Sequence, residues 1–294
     1  MTTKRHATWS GAESSKKPRS EPWSKRIKVL SYNIDGLNMF ELNYRTQIVL
    51  SLIVSEEPTI IQLQEVVPSV AALIDETLLA QGYGKHDSTI DHTILSHYYT
   101  MTYIKSPATN QWWSTHPKRV AYTGEAVSSQ GRDMLVNTLP YGDSAFLLVN
   151  SHLESCGTAM RSPGSSTRQA QLCQALQRIR QHNGPAIVTG DFNIRDAEAK
   201  SVIIKFPDII DIAEYLNAQN ECTWFLPGKP MKGKVVKYRF DRIYFNRRGD
   251  VKPVSYKLIG GDNHFNFGDV DSSNVITATY PTVLDHRGIV VEFK

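Results

Sequence analysis

The residues best suited to chemistry in this sequence are acids, amides and histidines that follow short apolar runs. Asp191 and Asn193 stand one residue apart in Gly190-Asp191-Phe192-Asn193, directly after Ile187-Val188-Thr189. On an extended backbone both side chains point to the same side. A carboxylate that only accepts hydrogen bonds, beside an amide, suits a phosphoester and a metal ion better than core packing. The rival reading is a plain turn, where Asp and Asn are favoured anyway. The pattern recurs, however. Asn33 and Asp35 close the run 27–32, Glu65 closes 59–64, and His152, with Ser155 beyond it, closes 145–151. Asp285-His286 precedes the last apolar run, and Asp241 lies inside the alternating stretch 238–245 with Arg239 and Ile243 on its face. A carboxylate closing a buried run, as Glu65 does, costs several kcal/mol unless it is paired or metal-bound. If the strands share one polarity, these groups converge on one crevice, where α/β sheets hold their ligands.

The elements that must position these groups follow from periodicity. Strands are predicted at 27–33, 59–65, 98–104, 119–127, 133–137, 145–152, 187–191, 238–245 and 289–293. Helices are predicted at 42–53, at 68–80 behind Pro68, at 166–180 and, briefly, at 208–217. The middle strands look antiparallel, and the strand–helix–strand alternation around them looks mixed or parallel. Residues 82–97 read as a solvated loop, since Asp87, Asp91, His92 and His97 match no metal-ligand spacing. Residues 228–237 read as a basic hairpin tip, and Asp269-x-Asp271-x-Ser273 lacks the glycine of a calcium loop. Thr223-Trp224 falls in a loop with no apolar partner in view. Trp224 is then either a ring folded on the sandwich edge or a platform for a DNA base.

Composition sets the bounds. A chain of 294 residues that is 40% hydrophobic can bury a large core. No apolar run approaches the ~20 residues of a membrane span, and the first residues are too polar for a signal peptide, so no membrane partner is expected. Cys156, Cys173 and Cys222 are odd in number and scattered, which points to reduced thiols rather than a zinc or disulfide framework. A net charge of +4 permits an anionic partner. Residues 1–25 read as a disordered basic arm whose Lys16-Lys17-Pro18-Arg19 is more often a solvated tail than a fragment of a nuclear-import signal, and 26–294 as one catalytic domain. The expected location is the nucleus, with the cytoplasm as a second site.

In chain order, Asn33-Ile-Asp35-Gly, Gln64-Glu65-Val, Gly-Asp191-Phe-Asn193, Phe-Asp241-Arg and Asp285-His286 resemble the endonuclease/exonuclease/phosphatase superfamily, from about Ile27 to Lys294. His152-Leu-Glu-Ser155, Arg195-Asp196, Thr223-Trp224 and Arg239-Phe-Asp-Arg-Ile further resemble its 5′-tyrosyl-DNA phosphodiesterase branch. The resemblance implies a four-layer α/β sandwich, two packed mixed β-sheets flanked by helices. It also implies hydrolysis of the bond between a topoisomerase II tyrosine and a DNA 5′ end, leaving a 5′-phosphate, as a step in DNA repair. The implied partners are DNA carrying a 5′ tyrosyl adduct, single-stranded at its end, and the topoisomerase II remnant peptide. Glu65 would hold Mg²⁺, with Mn²⁺ as a substitute, and Asp191 would orient and deprotonate water. Asn33 and Asn193 would contact phosphate or metal-bound water, and His286, oriented by Asp241, would face the phosphoryl oxygens. His152 and Ser155 would flank the phosphate, Arg195 would pair with it, and Asp35 and Asp285 would support. Tyr32, Phe192 and Leu284 depart from the family pattern, which bears on packing and not on the ligands. Relatives often carry an amino-terminal ubiquitin-binding domain; here only the arm precedes the fold, so that function is expected to be absent or trimmed away. The rivals are another superfamily phosphodiesterase, such as an abasic-site endonuclease, a deadenylase or an inositol-phosphate phosphatase, and a silent DNA-binding scaffold. Intact Glu65, Asp191 and His286 argue against the scaffold.

Overall fold

The computed structural model describes residues 26–87, 97–105, 117–141, 144–155, 164–225, 236–260 and 284–294. The arm with its basic motif, Asp91, His92, Cys156, most of 228–237 and Asp269 to Ser273 lie outside the described residues.

Two six-stranded sheets are packed face to face. The first holds β1 (Ile27–Asn33), β2 (Ile60–Val66), β3 (Tyr83–Lys85), β4 (Tyr99–Lys105), β13 (Pro253–Ile259) and β14 (Gly288–Phe293), in the order β13-β14-β1-β2-β4-β3. The second holds β5 (Lys118–Ala121), β6 (Asp133–Tyr141), β7 (Ser144–Ser151), β8 (Ala186–Asp191), β9 (Ile210–Asp211) and β12 (Asp241–Phe245), in the order β5-β6-β7-β8-β12-β9. A short ladder joins β10 (Trp224–Phe225) to β11 (Lys237–Tyr238). Both sheets are mixed: β1 runs parallel to β2 and β7 to β8, while the other pairs are antiparallel.

Period-two alternation gives each strand two apolar faces, and the helices explain why both are needed. Leu30, Tyr32, Ile61 and Leu63 pack against Val49, Leu50 and Ile53 of α1 (Leu42–Glu56) and Val70, Ile74 and Leu78 of α2 (Pro68–Ala80). Leu147, Val149 and Val188 of the second sheet meet Leu172, Leu176 and Ile179 of α3 (Ser165–Gln181) and Val202 of α4 (Asp196–Ile203). The inner faces meet through Ile27, Val29, Ile60, Leu148, Ile187, Ile243 and Phe293. Each such side chain, fully buried, contributes roughly 1.5–3 kcal/mol. The layers therefore run helix, sheet, sheet, helix, the four-layer sandwich the motifs imply.

Some elements depart from the sequence expectation. The run 119–127 stops at Ala121, and Gly124–Ala126 forms a 3₁₀ turn opened by Gly124 at φ 60. The short helix at 208–217 shrinks to α5 (Ile212–Tyr215), because Ile210–Asp211 pairs with β12 and Asp211 caps the turn, accepting from the Ala213 amide at 3.1 Å. The stretch 238–245 is not one strand: Tyr238 belongs to the small ladder and Asp241 starts β12. Between them Arg239 turns inward and donates to both carboxylate oxygens of Asp211, at 2.9 and 2.8 Å. Asp87 is not solvated either; it forms a buried ion pair with Arg119 at 3.0 Å.

Candidate active site

The parallel strands β1 and β2 in one sheet, and β7 and β8 in the other, deliver their last residues to one place. Three non-glycine residues here take left-handed backbone: Asp35 at φ 52, Glu65 at φ 55, at the irregularity near the end of β2, and Asn193 at φ 49. Asp and Asn tolerate this conformation, whereas Glu does so less readily. Two glycines let the ends come so close. A Cβ on Gly36 would lie 2.0 Å from the Glu65 carbonyl oxygen, and one on Gly190, at φ 142, would lie 1.7 Å from that of Ser151.

The side chains form one connected cluster. Asn33 Nδ2 donates to Asp191 Oδ2 at 3.0 Å, and His286 Nε2 lies 3.4 Å from that same amide and 3.6 Å from the carboxylate. Behind it, His286 Nδ1 meets Asp241 Oδ2 at 2.8 Å, and Asp241 faces Asp191 across the β8–β12 pairing. On the other side of Asp191, His152 Nε2 lies 3.2 Å from Oδ2 and 3.1 Å from Asn193 Nδ2. The Asn193 amide closes the turn onto Asp191 Oδ1 at 2.9 Å. Asn33, His152, Asp191, Asp241 and His286 are all buried.

Electrostatics separates the two histidines that flank Asp191. Burial and the nearby Arg132 guanidinium lower the proton affinity of His152, against the pull of Asp191 and Glu65. Burial also disfavours charge on His286, but Asp241, Asp285 and Asp191 outweigh it and raise its pKa well above the usual imidazole value. Asp191 feels burial too, yet His286 and His152 hold it well below the ordinary carboxylate range. The cluster thus favours a neutral imidazole, a carboxylate and an imidazolium side by side. A neutral imidazole suits a metal, and a cationic one suits a phosphoryl oxygen.

Glu65, His152 and Asp191 each offer one ligand atom, and these atoms lie within 4.8 Å of one another and could share a cation. Glu65, the ligand read from the sequence, therefore has two neighbours able to share the ion. Among the described residues the ion pairs give Glu65 a single partner, His152 at 3.8 Å. Negative charge is in excess here. Burial, with His286 pulling the other way and the Glu65 carboxylate adding to the rise, brings Asp285 up to about 6. Burial and Asp285, against the pull of Arg45 and with Glu65 adding, push Asp35 up to about 7. A divalent cation fits this donor set, because it would relieve that excess.

The remaining sequence-predicted residues stand around the cluster. Asp35 pairs with the buried Arg45 at 2.5 Å, and Arg45 also donates to the carbonyls of Asp35 and Phe40 at 3.0 and 2.9 Å. Ser155 is held by Gln130, which accepts from its amide at 2.9 Å and donates to its hydroxyl at 2.8 Å. Arg195 does not touch the acid–histidine cluster; its guanidinium lies 5.2 Å over the Tyr238 ring. Trp224 sits in β10 and not in a loop, and it has apolar partners. Tyr238 stacks on it at 6.0 Å, Phe240 lies at 5.1 Å, and its indole N–H donates to Asp285 at 3.0 Å. Arg45, Gln130, Tyr238 and Phe240 were not singled out by the sequence reading. Only Arg45 left a signal, a cation on the buried stripe of an amphipathic helix.

A two-sheet sandwich whose paired carboxylates, amides and histidines converge at the strand ends defines a class of phosphoester-cleaving protein. The chain belongs to the Endonuclease/Exonuclease/phosphatase family, whose model matches residues 30–273. Within that class it is similar to Tyrosyl-DNA phosphodiesterase 2 of Danio rerio, 26% identical over an alignment of 250 residues that covers 81% of this chain and 61% of the relative. It is likewise similar to Tyrosyl-DNA phosphodiesterase 2 of Rattus norvegicus, 28% identical over 253 residues, 81% of this chain and 62% of the relative. The chain spans about three fifths of the length of these curated relatives. The crystal structure of D. rerio TDP2 complexed with single strand DNA product superposes with a TM-score of 0.69 at 24% identity, covering 92% of this chain and 99% of that one. At that identity the likeness speaks to the fold. Among the described residues no helix is long and apolar enough to cross a membrane.

Proposed function

We propose that this chain is a catalytic domain, from about residue 26 to 294, that hydrolyses the 5′-phosphotyrosyl bond joining a topoisomerase II tyrosine to a DNA 5′ end. The observation that carries the reading is the relay Asp241–His286–Asp191–Asn33 set beside Glu65 and His152. The name shared by the curated relatives supplies a tyrosyl-DNA linkage as the substrate class, and the 5′ end and topoisomerase II come from the motif resemblance.

Water attacks phosphorus, the bond from phosphorus to the tyrosyl oxygen breaks, and a 5′-phosphate and a free tyrosine side chain result. Asp191 orients the water and is the group placed to accept its proton; its low proton affinity weights the orienting part. His286, held as imidazolium by Asp241, faces the charge that develops on the phosphoryl oxygens. Asn33 and Asn193 fix the geometry through their bonds to Asp191. Mg²⁺, or Mn²⁺ in its place, would be held by Glu65 with Asp191 and His152 beside it, and when bound neutralises phosphoryl charge. A phenol with pKa ~10 leaves without a strong acid, so the groups gathered on the attacking side are sufficient.

The DNA end would lie along Trp224 and Tyr238, backed by the buried Phe240, with Arg195 on the phosphates, single-stranded where it enters. The remnant peptide would leave with the tyrosine, and work on DNA ends implies a nuclear location. A single-turnover assay with a 5′-phosphotyrosyl oligonucleotide and Mg²⁺ tests the reading. Tyrosine release that EDTA abolishes is expected. Cleavage of an abasic-site duplex with no tyrosine release would replace it with the endonuclease reading.

A further inference from the structure

Directly beneath the site, the space between the sheets is polar. Thr189 Oγ1 donates to Gln62 Oε1 at 2.7 Å, joining β8 to β2. Gln64 Nε2 donates to Asn150 Oδ1 at 2.9 Å and to Ser31 Oγ at 3.2 Å, joining β2 to β7 and β1. Asn150 in turn donates to the carbonyls of Leu63 and Met101 at 3.1 and 2.8 Å. Ser31, Gln62, Gln64, Asn150 and Thr189 are at most 1% exposed.

Their positions follow the site. Ser31, Asn150 and Thr189 each stand two residues before a site residue (Asn33, His152 and Asp191) and therefore share its face of the strand. Gln64 immediately precedes Glu65. The seam costs free energy. Gln62 Nε2 and Gln64 Oε1 have no partner among the described residues, and buried hydrogen bonds contribute little net stability relative to apolar groups of the same shape. Hydrogen bonds are directional where apolar contact is not, so these pairs fix the register of one sheet on the other. The cation-binding atoms straddle the interface, Glu65 from the first sheet and His152 and Asp191 from the second.

We infer, resting on the metal reading above, that the Gln62–Thr189 and Gln64–Asn150 pairs are positioning residues that fix Glu65 against Asp191 and His152 and so set the affinity for a divalent cation. The direct probe is Mn²⁺ binding to the full chain, read by electron paramagnetic resonance without any substrate. In Gln62→Met with Thr189→Val the dissociation constant should rise about 10–100-fold, the size of effect that supporting residues have on metal sites. Thr189→Ser keeps the hydroxyl and should stay near the parent value, and the double variant should melt no lower than the parent. Should the double variant not fold, Thr189→Val alone is compared with Thr189→Ser in the same way. Unchanged Mn²⁺ affinity in a folded Thr189→Val variant, or an equal loss in Thr189→Ser, would overturn the inference. A parent chain that binds no Mn²⁺ overturns it as well. A parent that binds Mn²⁺ but spares tyrosyl DNA overturns only the proposed substrate.

Discussion

The two ends of the space between the sheets are built from the same strands in opposite chemistry. Along β1 the inner face reads Ile27, Val29, Ser31, Asn33; along β7 it reads Phe146, Leu148, Asn150, His152; along β8 it reads Ile187, Thr189, Asp191. β12 runs the other way and reads Phe245, Ile243, Asp241. One end is apolar, the middle is neutral and hydrogen-bonded, and the far end is ionisable. Stability thus comes from one end and chemistry from the other, with the seam transmitting position between them.

The largest expected effect tests the ionisable end. Asp191→Asn should lower turnover on the order of 10²–10⁴-fold while circular dichroism reports an unchanged fold; retained turnover would dismiss Asp191 from the reaction. Next comes the apolar end. Phe293→Ala, at a fully buried ring against Phe146 and Phe245, should cost about 3–5 kcal/mol in urea unfolding yet leave Mn²⁺ affinity within a few-fold wherever the chain is folded. A variant that lost affinity as steeply as stability would show that the two ends are not separable. Asp241→Asn is smaller. It keeps the shape but weakens the hold on the His286 imidazolium, and about 10–100-fold in turnover is expected, with the alkaline limb of the pH profile moving to lower pH.

The smallest effect lies at a third bridge between the sheets. His86 follows β3, its amide donates to Thr102 of β4, and its carbonyl accepts from Asn137 of β6 at 3.1 Å. Burial lowers its pKa to about 4 from 6.5. Between those values the unfolded chain binds the extra proton, so stability rises with pH across that window and falls on acidification through it. Melting curves from pH 7 to 4 should show a shallower decline for His86→Gln than for the parent.

What the sequence disclosed tracks this same gradient. Asn33, Glu65, His152, Asp191 and His286 were legible because an ionisable or amide group next to an apolar run has few other uses. Gln62, Asn150 and Thr189 were not, since one polar residue inside a strand looks like a solvent-facing alternate. Only the second sheet, invisible locally, turns that face inward. The break between Tyr238 and Asp241 was hidden for a similar reason. Arg239 and Arg242 are pulled in by Asp211 and Asp196, which lie far back along the chain. Trp224 looked isolated because Tyr238 and Phe240 come together with it only in space.

The left-handed backbone at Glu65 and Asn193 has a consequence for how this molecule could change. At Glu65 this conformation costs roughly 1–2 kcal/mol that glycine would not, and at Asn193 less. Heat alone, applied as a selection to a population of variants, would favour glycine at Glu65, and the survivors would be sturdier and inert. The site persists only where its product is demanded.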